Sequence, residues 1–199
     1  MFLASVMAID IEGFCSMANH LHLIVRNRPD VAGKWSPEQI ARKWLQLCPP
    51  YKPGTREVAE TPSQADLDAI LNNPGRVEQL RLRLSNPSWL MRFLTESLAG
   101  AANREDKTTG WFWEGRFKMQ RLLDEWAVVQ CLVSVERNPI RAGITTPLSK
   151  SQHTSIFERL AGMVHAFGKS LTAQQRIQGM ALSREIFGVP AAEHSSDPP

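Results

Sequence analysis

The run Met17-Ala18-Asn19-His20-Leu21-His22-Leu23-Ile24-Val25-Arg26 places two histidines on either side of one large apolar residue. The segment reads as a strand, and successive strand side chains point to opposite faces. His20 and His22 therefore share a face, while Leu21 and Leu23 point the other way, into a core. Two imidazoles side by side can hold one divalent cation. A polar pair on a wet sheet face fits the same spacing. A second polar series lies far along the chain: Gln130, Ser134 and Asn138 fall four apart and make a line along one side of a helix. Such a line is usually a solvent face, and gains interest only if it faces the histidines.

The elements that must position these residues can be outlined. Phe2 to Ile11 is mostly apolar and reads as the end of a helix followed by a turn. Gly13 to Met17 leads into the histidine strand, which ends near Arg26, and Asn27 to Gly33 reads as a loop. Ser36 caps a short helix that Pro37 opens, with Ile40, Ala41, Trp44, Leu45 and Leu47 as its apolar stripe. Residues 51 to 75 read as a polar insert with one more short helix between Thr61 and Leu71. Pro87 opens a long helix, capped by Ser85 or Asn86, whose buried face is Trp89, Leu90, Phe93, Leu94, Ser97 and Leu98. Trp111 to Leu123 alternates and is rich in aromatics, which predicts two short strands around Gly115. Asp124 caps a helix that runs to about Asn138, with core faces from Trp126, Val128, Val129, Leu132, Val133 and Val135.

The 199 residues suit one domain with appendages, and 43% hydrophobic residues suffice for a core. A net charge of +3 permits a polyanionic partner without demanding one. From Arg76 to Arg121 there are nine basic and five acidic residues, an excess that an ordinary solvated surface also explains. Cys15, Cys48 and Cys131 form no CxxC motif and read as small buried hydrophobes in a reducing cytosol. No apolar run reaches the length of a membrane span. The expectation is a soluble, cytoplasmic protein with no membrane partner.

Three motifs in order resemble a known family. Met17-Ala18-Asn19-His20-Leu21-His22 is similar to the His-hydrophobic-His motif of single-tyrosine HUH transposases, in the branch called REP-associated tyrosine transposases. Phe112-Trp113-Glu114-Gly115-Arg116-Phe117-Lys118 resembles that branch's Trp-x-Gly-Arg-Phe signature, and Asn138-Pro139-Ile140-Arg141-Ala142-Gly143 its Asn-Pro-[Val/Ile]-Arg-Ala-Gly signature. His153-Thr154-Ser155-Ile156 also has a counterpart in many members. The match covers roughly residues 9 to 157. It implies an α+β, ferredoxin-like antiparallel sheet with helices packed on it. In that family the histidine pair and a polar ligand from a later helix hold Mg²⁺ or Mn²⁺, which polarises the scissile phosphate. A tyrosine attacks the DNA phosphodiester and forms a 5′-phosphotyrosine. On this chain the resemblance implies His20, His22 and Asn138 as metal ligands, single-stranded or hairpin DNA as partner, and DNA transposition as the process. The domain expectation is a transposase-like domain over 1–157 with a helical insert at 34–85, a helical extension at 158–188 and a disordered tail at 189–199.

Two departures bear on activity. The family tyrosine lies four residues before the Asn-Pro asparagine, where this chain has Ser134. A serine hydroxyl is shorter by a ring and far less acidic than a phenol, whose pKa is about 10. The only tyrosine, Tyr51, lies in the Pro-rich insert and reaches the site only if that loop folds over it. The family also carries a first strand and helix before the histidine strand; here Met1 stands only about sixteen residues ahead of that motif, so the first strand is expected to be missing. An upstream start, a strand from another chain (homodimerisation included) or a decaying gene copy would each account for this. The function expected is thus a transposase-like DNA-binding protein whose cleavage is in doubt. The alternatives are a cleavage-dead DNA-binding derivative, or a metal-dependent phosphodiester hydrolase using His20, His22 and water, which lacks an evident acidic base near the histidines although Glu136 lies on the right helix. Arg104, Arg116, Lys118, Arg121 and Arg141 are the DNA-binding candidates, with Trp111 and Trp113 available to stack on unpaired bases. At least one of those tryptophans is expected in the core.

Overall fold

The computed structural model describes residues 2–52, 54, 55, 57–144 and 151–170, with side chains through 163. In chain order the elements are α1 (Phe2–Val6), β1 (Ile9–Ser16), β2 (Leu21–Asn27), α2 (Pro29–Ala32), α3 (Pro37–Leu47), α4 (Gln64–Leu71), α5 (Pro74–Leu84), α6 (Pro87–Glu105), α7 (Glu125–Glu136), α8 (Asn138–Arg141) and α9 (Ser155–Ser170). The chain is α+β, with one two-stranded antiparallel sheet, β1–β2, among the described residues. None of their helices is long and apolar enough to cross a membrane.

Local chemistry explains most helix starts. Ser36 accepts from the Gln39 amide while Gln39 accepts from the Ser36 amide, and Pro37 occupies the first turn of α3. Ser63 and Asp66 form the same reciprocal box at α4, and the bonds from Ser63 hold the Asp66 carboxyl below the usual carboxylate range. Asn86, not Ser85, caps α6, and Asp124 caps α7. Asn73 followed by Pro74 starts α5 within the stretch expected to be polar insert. The segment 27–33, expected as a loop, contains the single turn α2, with Pro29 at its first position.

The described chain divides into two compact units. The first comprises residues 1–11 and 25–121. Its core is formed by Met7, Ile9, Ile40, Ala41, Trp44, Leu45, Leu67, Ile70, Val77, Leu80, Leu84 and Leu90, which draws α1, α3, α4, α5 and α6 together. Of the face expected for α6 only Leu90 is fully buried. Trp89 and Phe93 pack on the core from its margin, and Leu98 is exposed. The two strands expected around Gly115 do not form: residues 108–124 contain no regular element. A strand needs a partner for its ladder hydrogen bonds. Here side chains tether the backbone instead, the Trp113 indole N–H donating to the Thr95 carbonyl at 3.0 Å and the Asn103 amide to the Gly110 carbonyl at 3.1 Å.

The second unit comprises residues 12–24 and 122–199. The Met17 amide donates to the His20 carbonyl at 2.9 Å and closes the β1–β2 hairpin. An antiparallel register continued from that bond sets Cys15 opposite His22 and Gly13 opposite Ile24. Helix α7 covers this face, where Cys15, Ile24 and Val135 form a buried cluster bordered by Met17, Leu122, Cys131 and Leu132. The core therefore lies on the histidine side of the pleat, through Ile24, and not on the side of Leu21 and Leu23, which are only half-buried. The helix chose the face, and alternation alone could not. The same packing corrects the expected core of α7: Trp126, Val129 and Val133 are exposed. The segment before α9 lines the free edge of β1, with Thr154 bridged to Cys15 and the Ser16 amide donating to the His153 carbonyl at 2.9 Å. The expected extension continues past 170 and, with the tail at 189–199, lies there outside the described residues.

Gly13 on β1 packs directly beneath Leu132 of α7. A Cβ there would stand 2.4 Å from Leu132 Cδ2 and 3.4 Å from Ser155 Oγ. Gly13→Ala is expected to cost about 1–3 kcal/mol through overpacking, read as a lowered denaturant midpoint. Adding Leu132→Ala should recover part of the loss. Independent, additive effects of the two changes would show that the contact is not the cause.

Candidate functional site

The candidate site lies wholly within the second unit. His20, immediately before β2, and His22, within it, bring their rings together edge to face, with centroids 4.9 Å apart. His20 Nδ1–H donates to Asn19 Oδ1 at 2.7 Å. That bond puts the ring proton on Nδ1 and leaves the Nε2 lone pair as an acceptor, to which the Asn138 amide donates. Asn138 Nδ2 lies 3.0 Å from this Nε2, across 118 residues of sequence. The structure thus brings His20, His22 and Asn138 together.

Asn138 is positioned by the way α7 ends. The helix stops at Glu136, Arg137 intervenes, and Asn138 opens the single turn α8 over a buried Pro139. Glu136 is itself buried, and its carboxylate accepts from Ser155 Oγ at 2.6 Å and from the Arg159 guanidinium. Ser155 Oγ also accepts from the Phe14 amide at 3.0 Å. One hydroxyl therefore ties the end of α7 to β1, the strand paired with the histidine strand. Glu136, the acid on this helix, is buried and accepts both bonds through one oxygen, Oε1. Asn19 and the Glu136–Ser155–Arg159 network did not stand out in the sequence. The only signal for Asn19 is its place immediately before His20, and for the network none exists short of tertiary contacts.

Electrostatics favour neutral donors. Burial, and secondarily the neighbouring His20, push the His22 pKa below the usual imidazole value, so its lone pair is available near neutral pH. Burial pushes the Cys15 thiol up, which leaves it protonated as a packing group opposite His22. Among the described residues no group of three His, Cys, Asp or Glu side chains is arranged for a metal. The donor set here is instead two imidazoles and one carboxamide. It suits a divalent ion that keeps open positions for water or phosphate oxygens. A half-turn of the Asn138 amide would present Oδ1 in place of Nδ2.

The other candidate residues are dispersed. Ser134 is exposed on α7 and Arg141 on α8, both in the second unit. Arg104, Trp111, Trp113, Arg116, Lys118 and Arg121 belong to the first unit. Trp111 is 99% exposed, while Trp113 is half-buried through its bond to Thr95. Arg116 has no carboxylate partner among the described residues, neither Glu114 nor Asp124, and the latter is occupied in capping Ala127. Tyr51 is exposed in the first unit, its backbone bridged to Val58. Comparison with known proteins finds no matching family model, no matching curated protein and no matching solved structure.

Proposed function

We propose that the protein is a DNA-binding member of the single-tyrosine HUH class, built on a ferredoxin-like core and acting in the cytoplasm on single-stranded or hairpin DNA. In this proposal His20, His22 and Asn138 hold Mg²⁺ or Mn²⁺. The observation that carries it is the meeting of His20 Nε2 and the Asn138 amide at 3.0 Å. Two residues 118 positions apart, each inside its own family-like motif, converge on one point. The tautomer set by Asn19 and the depressed His22 pKa support the same assignment. When bound, such an ion would supply positive charge to a phosphate oxygen. The chain's own contribution is an oriented imidazole pair, with His22 held toward its neutral form, and an amide held by the anchored end of α7.

Strand cleavage is not part of the proposal. Ser134 stands where the family has tyrosine, and its hydroxyl is too short to reach a phosphate placed for a phenol. The buried, doubly engaged Glu136 leaves a metal-dependent hydrolase without its acid nearest at hand. With Mn²⁺ and labelled hairpin DNA, the protein should give a salt-sensitive complex on a native gel and no covalent adduct on a denaturing gel. Absence of any complex would sink the proposal. An adduct that vanishes in Ser134→Ala would restore cleavage to the serine, and one that vanishes in Tyr51→Phe would assign it to the insert loop.

A further inference from the structure

The first unit carries a second cluster, which none of the motifs above includes. Trp44 and Trp89 meet edge to face, with centroids 5.5 Å apart. Three guanidiniums lie over these two rings: Arg76 at 5.9 Å and Arg83 at 5.5 Å from the Trp44 centroid, then Arg83 at 4.6 Å and Arg92 at 5.1 Å from that of Trp89. The residues come from α3, α5 and α6, packed on one core. Stacking on an indole orients a guanidinium yet leaves its N–H edge free for an anion. Among the described residues only one carboxylate, Glu96, forms an ion pair with the set, through Arg92 at 2.9 Å. Arg76 donates to the neutral Gln79 at 2.6 Å, and Arg83 forms no ion pair among the described residues. Burial raises the pKa of the half-buried Cys48 thiol, with smaller contributions from Arg92, Glu96, Arg83 and Arg76. Like charges gathered over shared rings with a single counter-charge form a site short of anions.

We propose that Arg76, Arg83 and Arg92, held on Trp44 and Trp89, form a contact surface for the phosphate backbone of nucleic acid, separate from the histidine site and independent of divalent cations. The planar fork of arginine matches phosphate oxygens, and three such forks gathered over two adjoining rings offer a polyanion several contacts at once. Trp44 is buried and the guanidiniums cover the rings, so bases do not stack there. The contact therefore reads phosphates without sequence preference. The choice of nucleic acid over other polyanions rests on the function proposed above.

The test measures binding of fluorescent single-stranded oligonucleotides of two unrelated sequences, in EDTA, as salt is varied. The wild-type chain should bind both alike. The triple variant Arg76→Gln/Arg83→Gln/Arg92→Gln should lose affinity at least about tenfold at low salt, and its log–log salt slope should shrink by about 2, at ~0.7 for each phosphate contact to a single strand. An unchanged slope and affinity overturns the inference, as does competition by poly-glutamate as effective as that by DNA. A second measurement uses the unaltered chain, in case the triple variant fails to fold. Phenylglyoxal modification, mapped by mass spectrometry, should spare Arg76, Arg83 and Arg92 when DNA is bound, and equal modification with and without DNA overturns the inference. Failure of the histidine reading would look different: His20→Ala/His22→Ala would leave any Mn²⁺-dependent component of binding intact, whatever the arginines do.

Discussion

His20→Ala and His22→Ala should each weaken Mn²⁺ binding by more than about 100-fold, because even partners that only orient a metal ligand are worth 10–100-fold. Asn19→Ala should fall within that smaller range. It removes no ligand, but frees His20 to carry its proton on Nε2, the nitrogen now aimed at Asn138. Asn138→Ala should resemble the histidine changes, while Asn138→Asp, which keeps an oxygen donor and adds charge, should bind as well as wild type or better. Calorimetric titration with Mn²⁺, or loss of the free-ion electron paramagnetic resonance signal, reads all five. No saturable binding to the wild-type chain, or equal binding by every variant, would reduce the histidines to a polar pair on a sheet face.

The largest stability effect is expected in the first unit. Leu80, fully buried on α5 among Ile40, Trp44 and Leu84, should cost about 2–5 kcal/mol when cut to alanine, from lost transfer energy plus the cavity left behind. Two residues on, Leu82 is 70% exposed, and the same change there should stay within about 0.5 kcal/mol. The two leucines have equal helix propensity and share one helix, so their difference isolates burial. Urea midpoints with unchanged slopes would measure it. Equal losses at both positions would mean that α5 does not pack as described.

Much of the local structure was legible from side-chain chemistry that acts within four residues. Ser36 with Gln39, Asn86 with Pro87 and Asp124 ahead of an apolar run all mark helix starts, and the helices begin there, because a cap is a bond between near neighbours. Asn73-Pro74 carries the same kind of signal and was passed over within a polar stretch. The proximity of His20 and His22 was legible in part: His22 lies in β2 as expected, while His20 precedes the strand at the hairpin turn, and their rings meet edge to face.

What lay beyond the sequence depended on partners distant along the chain. The alternation from Trp111 to Leu123 resembles strand, but no second strand pairs with it, and the segment is held instead by side-chain bonds. Alternation in β2 marked two faces without saying which one a helix would cover, and α7 covers the face of Ile24 and the histidines. Apolar residues ring α7 so evenly that its stripe could not be chosen, and Trp126, Val129 and Val133 remain in solvent. The sequence by itself thus determined the elements whose signals are local and the proximity of the two histidines. Only the tertiary structure decided that Asn138 meets His20, that Glu136 is consumed by Ser155 and Arg159, and that three arginines gather on two tryptophans. Each of these joins residues whose encounter is set by packing free energy summed over a core, a quantity that no short window of sequence contains.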